Sequence, residues 1–182
     1  MKLVTKVGYY IIMENYELRL AFLNDLPAIM AIIDDARKRM KSHESGQWQD
    51  GTPRQKTFIN DIENNYLYVA TSNNEIIGVM AVLDYEKGYE KLLTGMWSNN
   101  DPYLVLHRFA VKDDYLRKGV ASFMLNAAEN IAKTRHIRQI RIDTHEKNLE
   151  MISLLVKNQY IKKGSTLIED TKLRVVFEKI IN

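Results

Sequence analysis

The sequence predicts a mixed α/β domain in which helices cover both faces of one sheet. One observation is an apolar run at residues 103–111, followed by a basic turn from Arg117 to Ser122 and then a helix. The apolar residues of this helix recur at i, i+3, i+4, i+7, i+8 and i+11, which places them on one helical face. A second observation is a hairpin pattern, with apolar runs at residues 67–71 and 76–83 around a polar turn. The helical face consists of Val120, Phe123, Met124, Ala127, Ala128 and Ile131.

The remaining elements follow from the same patterns along the chain. Residues 16–20 predict the first strand. Asn24 or Asp25 then caps a helix that carries Pro27 in its first turn. The other predicted elements are a polar loop at residues 42–53 containing Trp48, a helix at 54–64, a long connection at 84–101, a strand at 138–144, a helix ending near 158, and closing strands at 160–167 and 173–179.

Length and composition agree with one domain. The chain has 182 residues, of which 46% are hydrophobic and 27% charged, and this is ordinary globular usage. The net charge of +3 is too small to indicate a nucleic-acid partner. The absence of cysteine excludes disulfides, thiolate metal sites and a cysteine nucleophile. The sequence indicates no metal site.

The N-terminal residues are predicted to lie outside the main domain. Residues 1–15 are predicted to be an extension, either an added strand or a disordered segment, before a single domain at residues 16–182. The apolar stretch within residues 1–13 is too short to span a membrane, and no small-residue cleavage site follows it. We therefore expect a cytoplasmic protein without a membrane partner.

The turn before the helix at Val120 has the character of an anion site. A helix start presents free backbone N–H groups and the positive end of the helix dipole, which suit a phosphate or pyrophosphate. The glycine patterns of mononucleotide P-loops and of dinucleotide folds are both absent. A capped helix without a ligand is the alternative interpretation of this segment.

This turn resembles the pyrophosphate loop of the GNAT superfamily of N-acetyltransferases, which has the pattern Arg/Gln-x-x-Gly-x-Gly/Ala. Gly119 and Ala121 fill its two small positions, whereas Leu116 stands where the family has Arg or Gln. Residues 107–111 resemble the central strand of the superfamily, and residues 148–160 resemble its Asn-containing helix. Residues 46–51 and 140–145 are also similar to a narrower group of small bacterial GNAT proteins of largely unassigned substrate.

The resemblance implies a mostly antiparallel mixed sheet of six to seven strands, flanked by about four helices and splayed at an acetyl-CoA site. It also implies an acetyl-CoA-dependent N-acetyltransferase that acts by direct attack of a primary amine in a ternary complex. Backbone groups of Phe109 and Val111 would pair with the pantetheine, Asn148 would bond one of its amides, and Arg117 and Lys118 would replace the missing loop cation. The implied cofactor-binding residues are Phe109, Ala110, Val111, Leu116, Arg117, Lys118, Gly119, Val120, Ala121, Ser122 and Asn148.

Two histidines are candidates for a catalytic base, because an imidazole titrates near neutrality. His107 lies on the predicted central strand, and a hydrogen-bonded structural histidine is the alternative for it. His145 follows the next strand, where it could instead fix a turn. The superfamily's usual acid, a tyrosine, corresponds to Leu155, which cannot donate a proton.

Aromatic residues beside the loops are candidates to bind the acceptor, which we expect to be a small-molecule or peptide amine. These candidates are Trp48, Trp97 and Tyr103, and loop packing is the alternative for each. The sequence allows a homodimer. A basic cluster of Arg135, His136, Arg138 and Arg141 is predicted to be a solvated face. Leu116 and Leu155 leave one alternative function open, a CoA-binding regulatory or degenerate GNAT module without turnover.

Overall fold

The structure is a computed structural model that describes residues 11–13, 15–42 and 46–181. Most of the predicted N-terminal extension, residues 1–10 together with residue 14, lies outside the described residues. Its last part forms a short strand that pairs with the first predicted strand, so an added strand is present there.

One sheet contains all the described strands. The strands are β1 Ile11–Met13, β2 Tyr16–Leu20, β3 Leu67–Ser72, β4 Glu75–Leu83, β5 Thr94–Gly95, β6 Leu104–Val111, β7 Gln139–Thr144, β8 Ile161–Ile168 and β9 Lys172–Ile180. Their order is β1-β2-β3-β4-β6-β7-β9-β8-β5, and only β6 and β7 are parallel. The mostly antiparallel mixed sheet is thus confirmed. Its nine strands exceed the predicted six to seven because β1 and the two-residue β5 are added at its edges.

Helices cover both faces, as the sequence predicts. They are α1 Leu26–Ser42, α2 Gln55–Glu63, α3 Val120–Thr134 and α4 Leu149–Lys157. Alternate residues of β3 explain the arrangement, because successive side chains of a strand point to opposite faces. Leu67 and Val69 pack with α1 and α2, whereas Tyr68 and Ala70 pack with α3. Burial on both faces accounts for the nearly continuous apolar runs of β3 and β4.

α1 begins at Leu26, directly after Asp25 and with Pro27 in its first turn, as the sequence predicts, but the hydrogen bonds of Asp25 differ from those of a helix cap. A one-turn 3₁₀-helix, Leu23–Asp25, precedes α1. The Asp25 carboxylate accepts the Phe22 N–H at 2.8 Å and two N–H groups of Arg19 at 2.6 and 2.9 Å. Asp25 therefore caps the short turn rather than α1 itself.

The sheet opens at its centre. β6 and β7 pair only from Leu104 to Leu106, although β7 continues to Thr144 along β9. A bulge in β6 marks this point, where Arg108 adopts a left-handed φ of 54°. Bulges of this kind bend a strand and re-aim its side chains. Beyond Leu106 the two parallel strands therefore diverge, and the predicted splay is confirmed.

A buried ion pair secures the bulge. Arg108 Nε lies 2.8 Å from Asp61 Oδ2 on α2, and Asp61 is 1% exposed. Burial raises the pKa of Asp61, and the Arg108 charge opposes that rise. The pair ties the strained residue to the helical layer on one face of the sheet.

Candidate active site

A cleft of about 210 Å³ occupies the splay between β6 and β7. The loop from Gly46 to Arg54 covers it, with Gln47, Trp48 and Thr52 on its wall. The opposite wall is formed by side chains of β6, β7 and β9. The cleft therefore lies where the resemblance places the reacting centre.

His107 stands in this cleft between two carboxylates. Its Nε2 lies 3.1 Å from Glu86 Oε2, and its Nδ1 lies 3.7 Å from Asp143 Oδ1. The hydrogen bond from His107 lowers the pKa of Glu86, outweighing the opposite effect of burial, so Glu86 is ionised at neutral pH and can only accept. Nε2 of the neutral ring consequently carries the hydrogen, and Nδ1 keeps its lone pair.

Tyr89 binds the same Asp143 oxygen that faces His107. Its hydroxyl donates to Asp143 Oδ1 at 2.8 Å. Burial, followed by the charge of Asp143, raises the pKa of Tyr89 well above its ordinary value, so the hydroxyl keeps its proton. The Tyr89 ring also lies 6.4 Å from the His107 ring, centroid to centroid. Asp143 and His107 are thus positioned by a fully buried residue.

His145 is turned away from the cleft. Its Nδ1 accepts the Lys147 N–H at 3.1 Å, and it borders a separate depression beside β5 and β8. Burial lowers the pKa of His145, and the charge of Arg174 lowers it further. Of the two predicted bases, the structure brings only His107 to the cleft.

The predicted phosphate loop forms an open cradle at the start of α3. Gly119 has φ of +86°, and a Cβ built on it would meet no atom within 4 Å. The Phe123 N–H bonds to the Gly119 carbonyl at 2.9 Å, which leaves the N–H groups before it at the free end of the helix. Arg117 and Lys118 are exposed beside it, and the Tyr16 hydroxyl fixes the Lys118 carbonyl at 2.8 Å.

The other predicted loop residues divide between the cradle and the core. Leu116, at the family's Arg/Gln position, is half-buried against the hydrophobic core, and Val120 is buried there. Ala121 is half-buried beside them. Ser122 Oγ accepts the side-chain amide of Asn158 at 3.2 Å.

The strand that follows the bulge keeps one backbone edge free. Phe109, half-buried, lines the cleft, whereas Ala110 and Val111 are buried. On the β4 side these residues pair with β4. On the β7 side, within the described residues, no strand pairs with them after Leu106, and the Val111 carbonyl accepts Arg39 Nη2 at 3.4 Å. That unpaired edge is where the resemblance places the pantetheine.

Asn148 caps α4 and bonds to Gln47, whose role in holding the loop the sequence did not predict. Its Oδ1 accepts the Met151 N–H at 3.2 Å, and its Nδ2 donates to Gln47 Oε1 at 3.3 Å. The same Gln47 oxygen accepts the Thr144 hydroxyl and the His145 N–H, both at 3.2 Å. Gln47 thereby fastens the covering loop to the end of β7.

The predicted acceptor aromatics separate in space. Trp48 lines the cleft, but Trp97 and Tyr103 do not. They enclose the guanidinium of Arg141, whose Cζ lies 4.2 and 3.9 Å from their ring centroids. Arg141 is 3% exposed and pairs with buried Glu178 at 3.3 Å, so it is not part of the solvated face predicted for the basic cluster.

Leu155 is fully buried in the core beneath α4. A proton donor at that position would have to be built into the hydrophobic core.

Glu86, Asp143 and Arg174 are the cleft residues that the sequence pattern left unassigned. Asp143 directly follows Ile142, and Arg174 stands between Leu173 and Val175, so a charged residue beside apolar strand residues was the available signal for them. Nothing local marks Glu86, since it lies in a polar connection.

Two features are absent from the described residues. They contain no group of three or more His, Asp or Glu side chains arranged to hold a metal ion. Within the same part of the chain, no helix is long and apolar enough to cross a membrane.

Comparisons with known proteins agree with this geometry. The model of the acetyltransferase (GNAT) family matches residues 29–159. A GNAT-family acetyltransferase from Streptococcus agalactiae is 29% identical with a TM-score of 0.85, covering 97% of this chain and 99% of its own. A putative acetyltransferase from Staphylococcus aureus is 25% identical with a TM-score of 0.69, covering 91% and 99%.

A third structure is a PaiA N-acetyltransferase from Thermoplasma acidophilum, solved in complex with coenzyme A. It is 19% identical with a TM-score of 0.68, covering 91% of this chain and 98% of its own, and it shows a shared fold. None of the curated protein sequences matches this chain. The family match spans most of the sequence, and the chain therefore belongs to the GNAT family of acetyltransferases, enzymes that use acetyl-CoA.

Proposed function

We propose that this acetyltransferase moves the acetyl group to a primary amine of a small molecule or peptide, by direct attack in a ternary complex with His107 as the base. The observation that carries the proposal is the position of His107 in the splayed cleft, with a carboxylate near each ring nitrogen.

The residues present fit acetyl-CoA, which supplies an acetyl group activated as a thioester. The open cradle at Gly119, with the first N–H groups of α3, suits the pyrophosphate, and Arg117 and Lys118 add positive charge there. The free edge of β6 at Phe109 and Val111 suits the pantetheine amides. Asn148 can contribute its Nδ2 once that group exchanges Gln47 for the ligand.

Side chains of the cleft then remove a proton from the acceptor ammonium group. An alkylamine is protonated at neutral pH, since its pKa resembles the value of about 10.4 for lysine. Glu86 holds the Nε2–H of His107, which aims the Nδ1 lone pair toward the Asp143 side of the cleft. Nδ1 takes the proton from the amine, and Glu86 and Asp143 stabilise the imidazolium that results. The amine then has the lone pair needed for attack.

The thiolate leaves without an assigned acid. A thiol with a pKa of about 8.5 is a tolerable leaving group as an anion. Leu155, in the core, contributes no proton.

The test measures release of free CoA thiol across polyamines, amino acids, aminoglycosides and peptides, with the acetylated product identified by mass. His107→Gln should lower kcat/KM by about 10²–10⁴-fold and leave the KM for acetyl-CoA unchanged. His136→Gln, on an exposed turn after α3, is the matched control and should behave as wild type. A folded His107→Gln variant with wild-type turnover would remove His107 from the mechanism.

A second candidate function is a CoA-binding module without turnover. Leu116 packed against the core and Leu155 buried within it favour this candidate, because two groups that the family uses are missing. Calorimetric binding of acetyl-CoA, together with no CoA release from any acceptor in the panel, would establish it.

A further inference from the structure

We propose that the acceptor is a small zwitterion, an amino acid with a free carboxylate, and that Arg174 binds this carboxylate. The inference rests on the proposed function, because it presumes that the amine reacts beside His107. It names the chemical class of acceptor and a residue that selects it.

Arg174 is a buried cation with most of its hydrogen-bonding capacity unused. It is 9% exposed and lies on β9 in the wall of the cleft. Its Nη1 donates to the Leu173 carbonyl at 2.8 Å, and its Nε lies 3.6 Å from Asp143 Oδ2, which is too long for a hydrogen bond. A guanidinium has five N–H donors, so four remain without a hydrogen bond among the described residues. A buried charge in this condition favours an anionic partner.

One carboxylate separates Arg174 from the base. Asp143 Oδ1 faces His107 Nδ1 at 3.7 Å, and Asp143 Oδ2 faces Arg174 Nε at 3.6 Å. An amine held at His107 and an anion held at Arg174 therefore sit on the two sides of a single side chain. This spacing suits the amine and carboxylate of one compact molecule, as in an amino acid.

The other charges of the cleft agree with this polarity. Glu86 provides negative charge on the His107 side, where an ammonium group arrives, and Asp143 lies between that side and Arg174, with its Oδ2 3.6 Å from Arg174 Nε. Lys172, two residues from Arg174 on β9, is already matched by Asp50 at 2.8 Å and Glu169 at 2.7 Å. Of these two β9 cations, Arg174 is the one with donors to offer. A planar fork of donors is also the geometry that suits a carboxylate.

The size of the cleft favours a free small molecule. Its volume of about 210 Å³ is below the range of roughly 300–1,000 Å³ for pockets that take drug-sized ligands. Arg174 also borders the second depression of about 280 Å³, and the two cavities share no other lining residue in the described part of the chain. Its side chain therefore bounds the cleft on that side.

The experiment compares matched acceptors. Each standard L-amino acid is assayed beside its C-terminal amide, which keeps the amine and removes the carboxylate charge. A hydrogen-bonded charge pair contributes about 1.5–3 kcal/mol, so the preferred amino acid should exceed its amide in kcat/KM by roughly 10- to 100-fold. Arg174→Met should erase this preference, because the KM for the acid should rise far more than the KM for the amide, while the KM for acetyl-CoA is retained.

Two further variants and a binding measurement complete the design. Arg174→Lys keeps the charge without the fork and should retain part of the preference. Arg138→Met removes an exposed arginine at the far end of β7 and should change nothing. With CoA present, the amino acids but not the amides should raise the Tm of the wild type, and neither set should raise that of Arg174→Met.

Failure of this inference is distinguishable from failure of the proposed function. If the wild type acetylates amides or simple amines as well as the acids, the carboxylate site is wrong while amine acetylation stands. If no acceptor releases CoA, the Tm measurement decides, and the absence of a shift specific to the acids overturns the inference.

Discussion

The cradle at Gly119 allows the cofactor assignment to be tested with two substitutions at one position. Gly119→Glu places a carboxylate at the free end of α3, whereas Gly119→Asn places a neutral side chain there. No atom lies within 4 Å of the added Cβ, so neither change creates a clash. Both variants lose folding stability for the same reason, because the φ of +86° at this position is left-handed.

The loss of stability and the loss of CoA binding have different causes, and each can be given a size. A left-handed residue with a Cβ costs about 1–2 kcal/mol, less for Asn, and in a domain of this size each kcal/mol shifts Tm by about 2–4 °C. A glutamate charge about 5 Å from one phosphate charge costs about 1 kcal/mol at the dielectric constant of water and about 3 kcal/mol at an effective value of 20. Gly119→Glu should therefore weaken CoA binding by about 5- to 160-fold beyond the effect of Gly119→Asn.

Isothermal calorimetry with CoA measures this difference at two salt concentrations. The excess loss in Gly119→Glu should shrink at higher salt, because screening weakens the repulsion. Equal CoA affinity in the two folded variants would refute the assignment of this helix start to the pyrophosphate.

Two further predictions concern residues that hold the site together. Arg141→Met removes one partner of a buried ion pair and should lower the free energy of unfolding by about 3–5 kcal/mol in a denaturant titration. Arg141→Lys keeps the charge but loses the stacking between Trp97 and Tyr103 and the Nη2 bond to the Asn99 carbonyl, and it should cost less. A loss below about 1 kcal/mol in Arg141→Met would contradict the buried-pair interpretation. Gln47→Leu deletes the oxygen that accepts three hydrogen bonds, so the His145 amide should exchange with solvent at least about tenfold faster. Gln55→Leu, at the exposed start of α2, is its control, and unchanged exchange in Gln47→Leu would show that the loop is fastened elsewhere.

The fold was largely accessible from the sequence because its elements carry strong local patterns. The helical face from Val120 to Ile131 and the runs that became β3, β4 and β6 follow the periods of their structures. β5 was missed because two residues cannot show a period. The start of α1 after Asp25 was predicted, but the Asp25 carboxylate bonds to Phe22 and Arg19, and the sequence did not show those contacts.

The site was accessible only in part, because its chemistry depends on contacts between distant segments. His107, Phe109, Trp48 and Asn148 do reach the cleft. Glu86 reaches His107 across 21 residues of chain, and no local pattern encodes that contact.

The same limit explains the aromatic residues that were misplaced. Trp97 and Tyr103 look like acceptor aromatics in sequence, yet they enclose Arg141. Arg141, the residue that they enclose, lies on β7, and this contact forms only when the sheet is assembled.

The pH dependence of kcat/KM for the wild type and His107→Gln, measured with one accepted amine, tests the central claim most directly. Protonation of Nδ1 removes the lone pair that takes the amine proton, so the wild type should lose activity on the acidic side of its profile. In His107→Gln that limb should disappear, with activity low at every pH and acetyl-CoA affinity preserved. A variant that keeps both the wild-type rate and the acidic limb would contradict the account, because the base would then be another group.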